Sequence, residues 1–439
     1  MAQQRGPIAR LTSFVRWLFL ALLVCAAGLV VGRQFLAAQL DEQIRLQVES
    51  LVAQHYPYLD VHVAGARRVE GTGIEIRGLS IRAKTGDAAL RQWVYVDEML
   101  LTCATDLTQL LGGAPQVRRL TLRRLKVQAT CDQEGQWNLA TLLPLPKFGG
   151  PAPRVIVEDS AVDLKDLCRR PEAGLALREI SAQLQAETSA DGTSRWRLSG
   201  TLRGDHFKHV RIQGLTDPAC TDWSLWGTID GLEMTQRMLD ALPADVARHA
   251  SCLTTLRARA HFEFRLGHRR GAPEPLDFLL QGHLAEGRVD DPRVPLPLTD
   301  LEADVFWDNR QLRIEQVTAR SGPTTLALSY RCDGVLTAAP VWALSARVSR
   351  LTLDERIYQA LPESLQAEWN KFAPRGTIDL EGTLSLADGR FQPDFHVICR
   401  DVSFSYYRFP LRLQQGRGTL QVAGRSEERR VGKECRSRW

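Results

Sequence analysis

The hydrophobic and polar positions of this chain follow three patterns in succession. Trp17–Gly32 is one uncharged apolar run, residues 34–55 place apolar side chains at a helical spacing, and from Leu59 onward apolar and polar residues alternate. These periods are typical of a membrane segment, an amphipathic helix and β-strands, respectively. The long alternating part predicts a mainly β fold with short helices, in which an elongated antiparallel sheet is built from repeats.

The apolar run follows a tail in which every charged residue is basic. These residues are Arg5, Arg10 and Arg16. The positive-inside rule therefore predicts a cytoplasmic tail over residues 1–13, an uncleaved transmembrane signal anchor over 14–35, and a body on the far side of the membrane. The alternative is a cleaved signal peptide, for which Cys25-Ala26-Ala27 is the best site, although the apolar run continues beyond it.

An amphipathic helix is predicted over residues 36–57. Its apolar positions form one helical face and are Leu40, Ile44, Val48, Leu51 and Val52. Tyr56-Pro57 ends the pattern, because the residue before a proline disfavours helical backbone. We expect this face to pack against the first sheet, since an exposed apolar stripe needs cover.

The alternation changes phase inside two of the predicted strands. Ile74 and Ile76 have one parity and Leu79 and Ile81 the other, with Gly78 between them. A bulge or tight turn at Gly78 would restore a single apolar face. The same change falls at Arg123-Arg124. Further strands are predicted at Val94–Leu101, Arg154–Leu164, Leu175–Gln185, Arg195–Leu202, His209–Gln213, Leu256–Leu266 and Thr324–Tyr330.

Two stretches of the body repeat one another. The segment from Trp226 aligns with the segment from Ser345, and both continue into Ala-Leu-Pro, which ends at Pro243 and Pro362. We expect each proline to follow a short helix that precedes an antiparallel strand pair. The predicted organisation is a tail (1–13), an anchor (14–35), a helix (36–57), an N-terminal β-domain (58–148), a β-repeat region (149–230), two related β-repeats (231–424) and a final segment (425–439).

The final segment, residues 425–439, is excluded from the fold. It resembles the translation of a sequencing adapter, so we expect the natural chain to continue differently and to be longer than this fragment. Without it the net charge falls from +5 to +2. So slight an excess of positive charge gives no case for nucleic-acid binding.

The remaining composition points away from catalysis. The nine histidines are dispersed, the closest pair being His206 and His209, and neither a zinc-binding HExxH string nor a nucleophile or phosphate-binding motif occurs. We therefore expect no enzymatic activity, no metal and no cofactor. The cysteines lack CxxC spacing, but Cys103 and Cys131 each end a predicted strand and form our candidate disulfide.

The densest basic cluster lies on one predicted strand. It comprises Arg118, Arg119, Arg123, Arg124 and Lys126. Such a cluster could attract anionic lipid headgroups, each charge contributing about 1 kcal/mol near a membrane. The alternative is an ordinary solvated strand face.

The order of features resembles the AsmA-like family of bacterial envelope proteins. The resemblance spans residues 10–424 and is strongest over 60–165. It rests on the anchor and helix, on Gly73–Leu79, and on Gly135-Gln136-Trp137-Asn138-Leu139 with the following Leu142-Leu143-Pro144. The later repeats resemble those of very large family members in planctomycete-type bacteria.

The resemblance implies a single-pass inner-membrane protein whose periplasmic body handles lipids in a β-groove. Its partners would be the inner membrane, phospholipid or another lipid, and other envelope proteins. The expected groove lining is Ile74, Ile76, Leu79, Ile81, Val94, Val96, Leu120 and Leu122. The alternative is a non-enzymatic scaffold or assembly factor of the envelope, in which these apolar faces form closed cores.

Overall fold

Antiparallel strands dominate the structure, a computed structural model in which the described residues contain eighteen strands of one sheet. The predicted mainly β class is therefore confirmed. The structure describes residues 39–69, 71–85, 90–103, 116–132, 134–142, 152–167, 174–188, 194–218, 221–241, 255–271, 276–291, 294, 296–337, 339–361, 363–387 and 390–423.

The strands follow the chain in order. They are β1 Leu59–Val69, β2 Gly73–Ala83, β3 Gln92–Cys103, β4 Val117–Cys131, β5 Arg154–Asp166, β6 Gly174–Thr188, β7 Ser194–Gly204, β8 Phe207–Thr216, β9 Trp223–Met234, β10 Leu256–His268, β11 Leu276–Val289, β12 Leu298–Asp308, β13 Gln311–Ser321, β14 Thr324–Asp333, β15 Val341–Leu353, β16 Arg375–Ala387, β17 Arg390–Tyr406 and β18 Phe409–Ala423. Each run singled out from the alternation falls on one of these strands, which confirms those predictions.

The helices are short apart from the first. They are α1 over residues 39–55, α2 Gln236–Ala241, α3 Glu355–Ala360 and α4 Glu363–Phe372, with a 3-10 turn at Asn138–Leu142. The predicted anchor and the final segment lie outside the described residues. None of the helices within the described ranges combines the length and the apolar character needed to cross a membrane.

The chain divides into two units. Unit 1 comprises Met1–Thr130 and Trp137–Val162, and unit 2 comprises Cys131–Gln136 and Asp163–Trp439. The division falls at the end of β4 and within β5. Each unit has its own core.

In unit 1, the phase change occurs in neighbouring strands at the same register position. Gly78 has a positive φ of 63°, and Arg124 on β4 has a φ of 51°. The β1–β2 and β2–β3 ladders keep one register on both sides of Gly78, so no residue is inserted relative to the partners. Strand β3 changes phase at the same row, near Asp97, which is why the ladder needs no shift. A side chain at position 78 would also place its Cβ 2.7 Å from that of Ala64.

In unit 2, the phase change of a strand produces a one-residue bulge where the neighbouring strand keeps its phase, as between β10 and β11 and between β13 and β14. Glu286, Asp300 and Gln316 have positive φ angles of 53°, 51° and 51°, and register shifts surround them in the ladders of β11, β12 and β13. A residue with positive φ costs free energy unless it is glycine. Here it switches the parity of the strand, so that the residues before and after the bulge turn their apolar side chains to the same face.

The internal repeat is confirmed in its described part. Strand β9 leads into α2 and strand β15 into α3, and the strand pairs β10–β11 and β16–β17 follow. Equivalent positions share fine detail: Gly231 and Arg350 have φ angles of 63° and 57°. Thr235 Oγ1 accepts the Met238 amide, as Asp354 accepts the amides that begin α3. The helices end at Ala241 and Ala360, two residues before Pro243 and Pro362, which lie outside the described residues.

Candidate functional site

The apolar side chains predicted to share one face of unit 1 do come together. Buried residues of one cluster include Ile74, Ile76, Leu79, Val96 and Leu120, and Val94 and Leu122 pack against them. Ile81 belongs to the adjoining cluster with Tyr56 and Leu59. The prediction of a shared apolar face, made from alternation, is confirmed.

Helix α1 covers this face. Ile44, Val48 and Val52 pack on the buried cluster, as the amphipathic pattern predicts. The resulting core is tight, since Ile76 is only 1% exposed. Lipid contact by these side chains would require α1 to move away, and their role as groove lining stays a prediction.

Polar side chains of α1 also occupy the outer edge of β1. The Glu49 carboxylate accepts the Val63 amide at 2.9 Å, Arg45 donates to the Val63 carbonyl at 3.2 Å, and Asp41 accepts the Arg68 amide at 3.1 Å. These groups would otherwise pair with a further strand. Helix α1 therefore both covers the core and blocks strand addition along this edge.

The string most specific to the family resemblance has a structural role. The Asn138 side chain accepts the Thr130 amide at 2.9 Å and donates to the Gln128 carbonyl at 2.9 Å, which satisfies the backbone near the end of β4. A neighbouring turn is organised by Asp132, whose carboxylate accepts the amides of Glu134 and Gln136. These contacts give Asn138 a structural role beside the end of β4.

The basic cluster of β4 is partly neutralised. Arg123 pairs with Glu98 at 3.1 Å and with Glu158 at 2.8 Å, and Arg124 pairs with Asp97 at 2.5 Å. The Arg124 hydrogen bond lowers the pKa of Asp97. The other three basic residues are exposed and make no ion pair within the described residues. They are Arg118, Arg119 and Lys126. Their contact with lipid headgroups stays a prediction. It depends on these three basic residues and not on all five that the sequence indicates.

The predicted disulfide is wrong. Cys103 lies opposite Val117, the first residue of β4, whereas Cys131 is the last residue of that strand. At about 3.3 Å per residue, these positions are roughly 45 Å apart, far beyond the 7 Å limit for bridged Cα atoms. The ends of β3 and β4 that carry the two cysteines lie at opposite ends of one hairpin. Burial raises the pKa of the Cys103 thiol, which makes it a less reactive group.

Unit 2 contains an apolar surface that the sequence did not single out. Two adjacent rows of directly paired residues cross strands β10 to β17 on one face, and we call them the apolar band. The first row is Phe264, Leu280, Trp307, Leu312, Cys332, Trp342, Leu386 and Phe391, and the second is Phe262, Gly282, Val305, Ile314, Tyr330, Leu344, Leu384 and Pro393. At about 4.8 Å between strands, eight strands make the band roughly 34 Å long.

Most of the apolar band is half-buried. Phe262 and Cys332 are buried and Phe391 is 63% exposed, while the other members lie between these limits. The end of the band on β10–β13 packs in a cluster with Met238 and Leu239 of α2, and α4 contacts β17 at the other end. In the middle of the band, Tyr330, Trp342 and Leu344 belong to none of the buried clusters of the described residues.

Aromatic residues give the band its character. Phe278, beside the band on β11, meets Trp307 edge-on at a centroid distance of 5.1 Å, and Trp342 lies 6.2 Å from Tyr330 and 6.0 Å from Phe391. Burial first, and then the neighbouring Cys332, raise the pKa of Tyr330 to about 12, so its hydroxyl stays neutral. An uncharged surface of rings and branched side chains suits an apolar ligand.

The reverse face of the same strands is charged. Arg259 pairs with Glu286 at 3.0 Å, and Arg400 pairs with Asp379. Hydrogen bonds from the Arg350 amide and then from Arg400 lower the pKa of Asp379. One face of the sheet is therefore apolar and half-exposed, and the other is hydrophilic.

Comparison of the sequence with models of known protein families finds no match, and comparison with curated proteins finds none either. The resemblance to AsmA-like proteins therefore remains an expectation from the motifs named above.

Proposed function

We propose that this chain is a membrane-anchored bacterial envelope protein that binds lipid acyl chains along the apolar band of unit 2. The single observation that carries the proposal is the band itself: sixteen positions in two rows, crossing eight strands on one face, most of them neither buried nor paired with a polar group. The proposed activity is non-enzymatic lipid transport or outer-membrane biogenesis.

Dimensions favour an acyl chain as the occupant. The hydrocarbon core of a bilayer is about 30 Å thick and holds two leaflets, so one layer of chains occupies about 15 Å. A band roughly 34 Å long accommodates a chain lying across several strands, and its two rows are about 7 Å apart. Burying apolar area against such a chain releases about 25 cal/mol per Å².

The placement of the protein supports the same proposal. The uncharged run Trp17–Gly32 and the basic tail before it predict a single-pass anchor in the inner membrane with the body in the periplasm. Alkaline phosphatase fused after Gly424 is expected to be active in bacteria. A cytoplasmic-only fluorescent reporter at the same point should stay dark, and the opposite result would overturn the proposed location.

The lipid itself can be tested by photo-crosslinking. A benzophenone amino acid at position 328 lies on the band face of β14, and one at Ser329 lies on the reverse face one residue away. After intact cells are irradiated and the full chain is purified in mild detergent, mass spectrometry should find lipid adducts for Leu328 and none for Ser329. Equal labelling at both positions would contradict a lipid-binding band.

The alternative function is an envelope scaffold. It is favoured in unit 1, where α1 closes the predicted face and leaves a self-contained core. Protein adducts in place of lipid adducts at Leu328 would indicate that an envelope protein covers the band and would support the scaffold.

A further inference from the structure

Four consecutive strands of unit 2 carry a row of two histidines flanked by two aspartates. His261 on β10 is directly opposite His283 on β11. The His261 Nδ1 lies 2.5 Å from Asp230 Oδ1 on β9, and the His283 Nδ1 lies 2.8 Å from Asp304 Oδ1 on β12. We call these four residues the histidine row.

The histidine row lies on the hydrophilic face of the sheet. Its neighbours along β10, Ala260 and Phe262, are buried on the opposite face, as alternation along a strand requires. The two imidazoles are 52% and 51% exposed. The rings are therefore within reach of solutes and are separate from the apolar band.

The aspartates fix the tautomer of each ring. A carboxylate only accepts hydrogen bonds, so each Nδ1 carries the hydrogen and, in the neutral ring, each Nε2 carries a lone pair. No described residue hydrogen-bonds to either Nε2. Histidine ligands in metal sites show this same arrangement, in which a carboxylate holds one ring nitrogen and orients the other toward the metal.

The register allows both rings to reach one ion. Directly opposite side chains in an antiparallel pair have Cβ atoms about 4.5–5.5 Å apart and project in the same direction. Zinc–nitrogen bonds are about 2.0–2.1 Å long, so a shared cation requires two Nε2 atoms about 4 Å apart, a spacing comparable to that of the paired Cβ atoms.

A carboxylate lies close in register to the two histidines. Glu263, two residues along β10, is exposed, pairs with Gln281 in the ladder and makes no ion pair within the described residues. Across the described part of the chain, no group of three or more ligating side chains is arranged to hold a metal. We therefore assign two protein ligands, His261 and His283, and leave the remaining coordination to water.

We propose that His261 and His283 bind a divalent transition metal such as Zn²⁺, Ni²⁺ or Cu²⁺ through their Nε2 atoms, with Asp230 and Asp304 as positioning residues. Imidazole suits these ions, and Cu²⁺ should bind most tightly among them. This site does not depend on the proposed lipid function, since it lies on the opposite face of the sheet.

The test uses the full chain in detergent, without a histidine tag and after treatment with a chelator. Calorimetric titration with CuCl₂ and then ZnCl₂ at pH 7.5 should show one site, with Cu²⁺ tighter. His261→Gln or His283→Gln should each weaken it at least tenfold. Asp230→Asn keeps both ligands and should weaken binding about 10- to 100-fold, as for other orienting carboxylates.

The matched control is His396→Gln on β17. That histidine is also exposed, but it lies opposite Glu381 and not opposite a second histidine. The control should bind metal as the wild type does, and circular dichroism should show every variant folded. Absence of saturable binding by the wild type would overturn the proposal. So would binding that His261→Gln and His283→Gln leave unchanged, or a loss equal to theirs in the His396 control.

Discussion

A charge placed on the apolar band distinguishes a lipid-binding face from a closed core. Leu344 is half-buried in the first half of β15, between Tyr330 and Leu384 in the ladders, while Ser345 is exposed on the reverse face. Leu344→Asp and Ser345→Asp introduce the same carboxylate one residue apart. They therefore form a pair that is matched in strand, in charge and in distance from the turns.

The expected magnitudes follow from the exposure of each site. Losing a partly buried leucine costs about 1–2 kcal/mol, and aspartate in a strand adds up to about 1 kcal/mol. Water still reaches position 344, so the full penalty of a buried carboxylate does not apply. With an acyl chain on the band, that carboxylate lies in hydrocarbon at a cost of about 3 kcal/mol. Lipid affinity should then fall roughly a hundredfold.

The measurement combines two assays on the purified full chain. Denaturant unfolding reports stability, and displacement of a fluorescent fatty acid reports lipid affinity. Leu344→Asp should lose about 2–3 kcal/mol of stability and most lipid binding, whereas Ser345→Asp should change stability by no more than about 0.5 kcal/mol. A loss above about 5 kcal/mol for Leu344→Asp would instead identify a closed core. Unchanged lipid binding in the folded variant would refute the proposed band.

Three further predictions concern the fold. Ile76→Asp should unfold unit 1, at a cost above about 4 kcal/mol, because it buries an unpaired carboxylate beneath α1; thermal melting of the variant tests this. Because folding lowers the pKa of Asp379, its carboxylate stabilises unit 2 at pH values above the ordinary aspartate pKa, and this stability is lost as the pH falls below about 4. The variant Asp379→Asn should therefore show a weaker dependence of unfolding free energy on pH in that range. Gly231 and Arg350 occupy equivalent positions of the repeat, and both have positive φ angles. Gly231→Ala should destabilise unit 2 by about 1 kcal/mol, whereas Arg350→Gly should be neutral or stabilising. The denaturant midpoints of the two variants test this prediction.

Local sequence patterns predicted most of the strands and the cover of the first core. The alternation around Gly78 and Arg124 located the phase changes, and the spacing of Ile44, Val48 and Val52 identified the helix face that packs on the sheet. These features depend on neighbours along the chain, where the periods of helix and strand are directly visible.

Features that depend on register between strands were not predictable in the same way. The Cys103–Cys131 pairing failed because the direction of β4 decides which of its ends meets Cys103. His261 and His283 are 22 residues apart and meet only through the register of one hairpin, so a search for close spacing found His206 and His209 instead. A sequence pattern gives the face of each residue but not its partner across the ladder.

The bulges keep the apolar band and the histidine row on opposite faces of the sheet. Without the extra residue at Gln316, the far half of β13 would turn Val317 and Ala319 to the hydrophilic face, away from the cluster that contains Ala319. Exposing Val317 and Ala319 would destabilise the fold by about 25 cal/mol for each Å² of apolar area returned to water. The strain of one positive φ, about 1–2 kcal/mol, is of the same order as the burial it preserves. The positive-φ residues therefore have a structural effect that offsets their strain: they keep these strands apolar on the band side and hydrophilic on the side of the histidine row.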